Sequence, residues 1–320
     1  MKRYQNYILG NWEDGLGEET LLFNSITGAE IGSVSSAGIN FSEVLEYGRT
    51  KGGSVLRKMT FQERGRMLKA LALHLLEQKE KYYEVSSWTG ATKIDSWIDI
   101  EGGIGNLFAN ASLRKQFPDL PYYVDGSAVP LSKNGSFIGH HIMVPKEGVA
   151  IHINAFNFPI WGMLEKIAVN LMAGVPAVVK PSEYTSFLSE VVVRDIIASK
   201  ILPEGALQLL VGLGRGLIDS VDNRDVVTFT GSAATGKILQ SHPRILSESV
   251  PFNLEADSLN ASVLGKKASP GTVEFDLFIK EAVKEITIKA GQKCTAVRRI
   301  IVPEEYLEEV QKGISARLAS

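Results

Sequence analysis

Val149-Ala150-Ile151-His152-Ile153-Asn154-Ala155-Phe156-Asn157-Phe158-Pro159 is the stretch on which the fold turns. Its first five residues, 149–153, form a short β-branched run of the kind that makes a buried strand. The polar and aromatic residues after it interrupt that run, and 161–172 reads as a helix. The same alternation then repeats. Residues 177–180, 207–211 and 226–230 read as further strands, with 185–199 and 235–240 as helices among them. Strands alternating with helical stretches are the pattern of a parallel sheet with crossover helices, so the expected fold class is α/β.

Upstream of this block, 135–144 alternates and contains Phe137, Ile138, Ile142 and Met143, which suits a strand projecting from a βα core. Further back, Thr60-Phe61-Gln62-Glu63 fits a helix capping box, and Met67, Leu68, Leu71, Leu75 and Leu76 follow at spacings that share one face. More helix is expected through 82–88 and 96–113. The first 55 residues are rich in turn residues around short apolar runs such as Tyr7-Ile8-Leu9-Gly10-Asn11-Trp12, and predict hairpins and small strands. There is no internal repeat, low-complexity tract or linker.

Bulk properties narrow the function classes. With 320 residues, 44% of them hydrophobic, the chain has the makeup of a globular protein large enough for two domains. Its 34 Lys and Arg are balanced by 36 Asp and Glu, and no segment gathers the basic residues that nucleic-acid phosphates require. One cysteine cannot make an intramolecular disulfide or a Cys-rich zinc site, and the five histidines lack metal-ligand spacing, so no metal is expected. The N-terminal residues lack the apolar run of a signal peptide, and no later run is long enough to span a membrane. A cytoplasmic protein with no membrane or nucleic-acid partner is the expectation.

Several short segments carry chemistry. Asn157 lies just past a strand, at the carboxyl edge where open α/β sheets bind ligands, and its amide is a candidate donor to an oxyanion. The alternative is an ordinary turn residue. Lys180-Pro181-Ser182-Glu183 ends the next strand, where Lys180 and Glu183 can reach the hydroxyls of a ribose; a solvated loop pair is the rival reading. Glu183 points to NAD over NADP, because a carboxylate accepts from a free 2′-OH and repels a 2′-phosphate, with NADP as the open alternative. Phe229-Thr230-Gly231-Ser232-Ala233-Ala234-Thr235-Gly236 runs from strand into helix, where small residues let N–H groups approach a pyrophosphate. Gly212-Leu213-Gly214-Arg215-Gly216 is a second glycine-rich turn, and both stretches lack the spacing of the common dinucleotide fingerprint. Phe252-Asn253-Leu254-Glu255-Ala256-Asp257 places Glu255 in an apolar stretch, where burial would make it a general base; an ion-paired core glutamate is the alternative. Gly291-Gln292-Lys293-Cys294-Thr295 holds the sole cysteine in a polar, glycine-led context after a helical stretch at 278–289. It reads either as an inert core thiol or as a nucleophile, with Lys293, Arg298 and Arg299 available to favour the thiolate.

Taken together and in this order, these segments resemble the aldehyde dehydrogenase superfamily, from Gly10-Asn11-Trp12 to Ile301-Val302-Pro303. The resemblance implies a Rossmann-like NAD(P)-binding domain over 1–130 and 147–254, a projecting oligomerisation strand or hairpin at 131–146, and the start of a second α/β catalytic domain at 255–320. It also implies NAD or NADP as cofactor. Lys180 and Glu183 would hold the adenosine ribose, and Ser182, Gly212, Gly231, Ser232 and Gly236 would be cofactor-binding, the last three at the pyrophosphate. Cys294 would attack an aldehyde, Asn157 and the Cys294 N–H would form the oxyanion hole, and Glu255 would activate water.

Some wording is nearer to one branch: the opening stretch from Ile151, Trp161-Gly162-Met163-Leu164-Glu165-Lys166, Thr89-Gly90-Ala91, and Asp95-Ser96-Trp97-Ile98-Asp99-Ile100-Glu101-Gly102-Gly103. These resemble the dehydrogenase half of bifunctional phenylacetic acid degradation proteins. The implied substrate is a CoA-linked semialdehyde from phenylacetate or benzoate breakdown, and the implied full-length enzyme is a homo-oligomer. Two departures stand out. Leu254-Glu255-Ala256-Asp257-Ser258-Leu259 replaces the usual Leu-Glu-Leu-Gly-Gly-Lys, and the chain stops before the family's Glu-x-Phe-Gly-Pro segment, which reads as a truncated catalytic domain. A non-catalytic fragment that binds a dinucleotide or a partner is the competing expectation, and an acylating enzyme that uses CoA in place of water is a third.

Overall fold

The computed structural model describes residues 2–320, which form two compact units, Met1–Glu255 and Ala256–Ser320. The first begins with β1 (Arg3–Tyr4), β2 (Asn6–Ile8), β3 (Asn11–Glu13), β4 (Thr20–Phe23) and β5 (Glu30–Val34), as its turn-rich sequence predicts. The expectation of small strands up to residue 55 fails after that. Asn40 caps α1 (Phe41–Tyr47) by accepting from the Glu43 N–H, and a π-helical stretch (Gly48–Gly52) leads into α2 (Gly53–Leu56). The reason is visible in spacing: Phe41, Val44 and Leu45 are all buried, a helical stripe too short to stand out beside so many turn residues.

The predicted capping box is present in α3 (Phe61–Glu77), with Thr60 and Glu63 each bonding the other's backbone. Then come α4 (Lys79–Ser87) and α5 (Lys93–Ser112), where Thr92 and Asp95 form a second capping box. An antiparallel ribbon follows, β6 (Tyr123–Pro130) with β7 (Ile138–Met143). Its side chains are almost all exposed, among them Val129, Ile138, Ile142 and Met143.

The alternating block folds as β8 (Ala150–Ile153), α6 (Pro159–Met172), β9 (Ala177–Lys180), α7 (Ser186–Ala198), β10 (Leu207–Leu209), β11 (Val226–Gly231), α8 (Ala233–Gln240), α9 (Pro243–Ser247) and β12 (Phe252–Ala256). Seven strands make one sheet in the order β12-β11-β8-β9-β10-β2-β3. β11, β8, β9 and β10 run parallel, while β2 joins β10 antiparallel. Its central strands β8, β9 and β10 are buried on both faces, which is why they read as nearly continuous apolar runs. Ala177, Val179, Leu207 and Leu209 pack with residues of α3, α5, α6 and α7, whereas Ile151, Val178, Leu210 and Val227 pack with Phe41, Val44, Leu45 and Ile245.

The strand order decides where chemistry can happen. The chain builds outward from β8 to β9 to β10, then returns to lay β11 on the other side of β8. The loops after β8 and β11 therefore leave the sheet at a topological switch point, where such folds bind ligands. At the opposite edge of the same strands, the buried Asp225 accepts from the Val149 N–H at 2.9 Å and pairs with Arg49, closing the amino end.

The second unit is small. β13 (Ala261–Val263) and β14 (Arg299–Ile301) pair in parallel, linked through α10 (Val273–Thr287), and α11 (Leu307–Leu318) follows. Leu264, Phe275, Ile279 and Val310 form its core. No helix among the described residues is long and apolar enough to cross a membrane.

Candidate active site

In the first unit, most of the predicted residues lie at or just past the ends of β8, β9 and β11, while Gly212 follows β10 and Glu255 lies in β12. Asn157 lies half-buried between β8 and α6. The start of its loop is tied to the neighbouring strand by the Asn154 N–H, which donates to the Lys180 carbonyl at 3.0 Å. Lys180 ends β9 with its stem buried and its Nζ 3.3 Å from Glu183 Oε2. Burial pulls the Lys180 ammonium below the usual lysine range, and the Glu183 carboxylate opposes that shift. The pair thus holds together a cation and an acceptor beside the switch point. Ser182 immediately precedes the 3₁₀ turn Glu183–Thr185 and is half-buried.

Ser232 caps α8, its hydroxyl oxygen accepting from the Thr235 N–H at 3.2 Å. The glycines around it have a reason other than the one expected from sequence. A Cβ on Gly231 would stand 2.5 Å from the Phe229 ring, and one on Gly236 would stand 2.3 Å from Leu254, so a side chain at either place would have to displace its neighbour. Gly212, at φ +101°, is likewise pressed against the backbone of Ser35 and Ser36. The glycine of that turn that lies beside Lys180 is Gly214, where a Cβ would sit 3.4 Å from the lysine stem.

Two residues at this edge were not singled out from sequence. The Asn154 side chain is 4% exposed, and neither its amide oxygen nor its nitrogen has a hydrogen-bond partner in the protein. The Thr230 hydroxyl, at the end of β11, is buried and equally unspent. Polar groups left so are costly unless something satisfies them. A polar asparagine at the end of an otherwise apolar strand was the sequence signal for Asn154. Below them on the same strands, His152 and Thr228 are register partners and bond through Nδ1 at 2.8 Å, while His152 Nε2 meets Asn170 Oδ1 at 2.8 Å.

These features fit a dinucleotide. Unspent hydrogen-bonding groups at the switch point, a Lys–Glu pair ending one strand and a capped helix start after another offer partners for ribose hydroxyls and phosphates. Among the described residues, no group of three His, Cys, Asp or Glu is placed to hold a metal ion.

Glu255 departs from expectation. It lies in β12, where Phe252 and Leu254 are half-buried and Asn253 and Glu255 are exposed. Strand alternation, with its period of two, turns the carboxylate out of the apolar stretch that surrounds it in sequence. The buried-base and ion-paired-core readings both give way to a water-accessible carboxylate.

In the second unit, Cys294 is exposed, which removes the inert-core reading. The backbone before it is unusual: Lys289, Ala290 and Gly291 all have positive φ, at 54°, 50° and 71°. Two of these are not glycine, and each such residue costs about 1–3 kcal/mol of strain. After this bend, Asn260 Nδ2 donates to the carbonyls of Cys294 at 2.6 Å and Ala296 at 3.3 Å. Asn260 precedes β13 and so fixes the cysteine turn to the strand pair; nothing in its sequence context singled it out. The three cations expected to favour the thiolate have other partners. Lys293 Nζ lies 2.7 Å from Glu285, Arg298 donates to the Gly291 carbonyl, and Arg299 donates to that of Leu259.

Comparison with known proteins extends the picture. A 3,4-dehydroadipyl-CoA semialdehyde dehydrogenase of Aromatoleum evansii is 42% identical over 315 residues, covering 98% of this chain and 61% of that protein. Retinal dehydrogenase 2 of Mus musculus is 28% identical, over 96% of this chain and 58% of its own length. The chain thus spans about three-fifths of the relatives it matches. Among solved structures, a betaine aldehyde dehydrogenase from Staphylococcus aureus in complex with NAD+ superposes with a TM-score of 0.84 at 22% identity, over 99% of this chain and 61% of that one. A 3,6-anhydro-L-galactose dehydrogenase in complex with NAP gives 0.85 at 20% identity, over 100% and 64%. These two share the fold. The sequence profile described as the aldehyde dehydrogenase family matches residues 12–320, and the chain belongs to that family.

Proposed function

We propose that this chain carries the cofactor-binding unit and the nucleophile of an NAD(P)-dependent dehydrogenase that oxidises a CoA-linked semialdehyde, from phenylacetate or benzoate breakdown, to the carboxylate. The observation that carries the reading is the lone cysteine, exposed and held by Asn260 in a chain of this family. The 42% identical relative named for a CoA-linked semialdehyde supports the substrate class.

Cys294 attacks as thiolate: a sulfur–carbon bond forms at the aldehyde carbon and the carbonyl electron pair moves to oxygen. The Asn157 amide donates to that oxyanion. A nicotinamide dinucleotide, when bound, would accept the hydride that leaves the aldehyde carbon as the adduct becomes a thioester; Lys180 and Glu183 would hold its ribose, Ser232 its pyrophosphate, and Ser182 would lie among the cofactor-binding residues. Glu255 takes a proton from water, which adds to the acyl carbon of the thioester left on Cys294. The carbon–sulfur bond then breaks, releasing the carboxylate and the thiolate. Splitting one hard step in two is the advantage of the covalent route. The exposed position of Glu255 suits a base that must meet water.

The test follows NAD(P)H formation with a CoA-linked semialdehyde, for this chain and for the complete gene product that carries it. Cys294→Ser is expected to abolish turnover, and Asn157→Ala to lower kcat by about 10²–10³-fold. A Cys294→Ser variant with full activity refutes the nucleophile. Dinucleotide binding without turnover in every form favours the non-catalytic reading instead. Mass spectrometry of the product separates water from CoA as the group that resolves the thioester. The exposed apolar ribbon of β6 and β7 supports a homo-oligomer, which light scattering of wild type and of an Ile142→Asp variant checks.

A further inference from the structure

Asp99 lies in the middle of α5 with no exposed surface. Its Oδ1 accepts from two backbone N–H groups of another helix, Ile160 at 3.1 Å and Trp161 at 2.7 Å. Those are the second and third residues of α6, the positions a capping side chain ordinarily serves. The local sequence provides no such cap: Phe158 stands at the capping position without a side-chain bond, and Pro159 opens the helix. The cap comes from 61 residues upstream.

The same joint is shaped for close approach. A Cβ on Gly102 would stand 2.2 Å from Cζ3 of Trp161, and one on Gly103 would stand 3.0 Å from the Trp161 Cα. Trp161 is held in turn through its indole N–H, which donates to Glu165 at 2.7 Å. On the other side of Pro159, the Phe156 carbonyl accepts from the Thr185 hydroxyl at 3.3 Å, and the Phe158 carbonyl accepts from the Gly162 N–H at 2.9 Å. Asn157 is the residue between these two anchored carbonyls. Its backbone has fixed points before and after it, and the stronger of them depends on where α5 holds the start of α6.

We propose that Asp99 is a positioning residue for the reaction: by capping α6 from α5, it sets the direction in which the Asn157 amide meets the substrate oxygen. The inference rests on the oxyanion role assigned to Asn157. Oxyanion donors act through fixed geometry, and a displacement of about 1 Å can cost about 10²-fold in rate. A cap with a structural role alone would lower thermal stability and leave kcat where it was.

The experiment measures kcat, KM and melting temperature in the complete gene product for wild type, Asn157→Ala, Asp99→Ala, Asp99→Asn, and the double variant Asp99→Ala/Asn157→Ala. Asp99→Ala is expected to lower kcat by about 10–100-fold, with KM for the dinucleotide nearly unchanged. Asp99→Asn keeps an acceptor oxygen for both N–H groups and should restore most of the rate. In the Asn157→Ala background the Asp99→Ala loss should fall to about twofold or less, since residues acting through one another are not additive. Equal losses in both backgrounds, or an unchanged kcat beside a lowered melting temperature, overturn the proposal. Should Asp99→Ala not fold, Gly102→Ala disturbs the same joint and must show the same non-additive loss. A wild type without turnover, or one indifferent to Asn157→Ala, refutes the Asn157 reading and this inference with it. An enzyme sensitive to Asn157→Ala but not to Asp99→Ala refutes the inference alone.

Discussion

Acid should weaken the first unit through one histidine. His152 sits on β8, 3% exposed, in a fixed tautomer. Asn170 Nδ2 donates to the Val175 carbonyl, so its Oδ1 faces His152 Nε2, which must carry the proton; Nδ1 then accepts from the Thr228 hydroxyl. Protonating Nδ1 would turn that acceptor into a donor in a buried site. Burial accordingly pulls the pKa from 6.5 to about 4, with the Asn170 hydrogen bond opposing and the charge of Lys166 assisting. Between these two values the unfolded chain binds a proton that the folded chain refuses, so stability is full above about pH 6.5 and is lost as pH falls towards 4. At pH 5 the unfolded histidine is almost fully protonated and the folded one about one-tenth so, a loss of about 2 kcal/mol relative to neutral pH. Urea unfolding of wild type and His152→Gln, at intervals from pH 7.5 to 5, measures it. The variant starts less stable but should lack this part of the slope, so the gap narrows by about 2 kcal/mol. Two curves that fall in parallel would refute the reasoning.

Three further outcomes follow from other residues. In the ribose role proposed for it, Glu183 would repel a 2′-phosphate, so calorimetric titration of Glu183→Gln should show the affinity for NADP relative to NAD rising by about tenfold, the size of one lost charge contact; an unchanged ratio would remove Glu183 from the ribose. Asn260→Ala removes both hydrogen bonds to the Cys294 turn, and hydrogen exchange at residues 293–296 should quicken by about tenfold, equivalent to about 1.4 kcal/mol. No change there would mean that the bend at Lys289 and Ala290 holds the turn without it. In Gly52→Ala, a Cβ would stand 2.1 Å from the Gly205 carbonyl oxygen, a backbone atom that cannot swing away. Thermal melting should report a loss of about 1–3 kcal/mol or an unfolded protein, and a wild-type melting temperature would show that the two segments can part.

Long, regular features were legible in the sequence. The β8–α6–β9–α7 alternation, the capping box at Thr60 and the apolar stripe of α3 depend on contacts within a few residues, so spacing alone reports them. The helix at Phe41–Tyr47 escaped because its seven residues offer only two turns of stripe. Glu255 shows the limit from another side. Its neighbours are apolar, but a strand alternates faces, and which face is covered depends on what packs there.

By itself, then, the sequence determined the parallel α/β class, the order of the chemical segments and the single thiol, because periodicity and residue identity are local properties. Tertiary structure alone decided the surroundings of those residues. It exposed Cys294, paired Lys293 away from it, turned Glu255 to water and left Asn154 and Thr230 unspent at the switch point. It also brought Asp99 to the start of a helix 61 residues away. Burial and hydrogen-bond partnership are relations between distant parts of the chain, set by the strand order β11-β8-β9-β10 and by close helix contacts at glycine, and no window of sequence contains them.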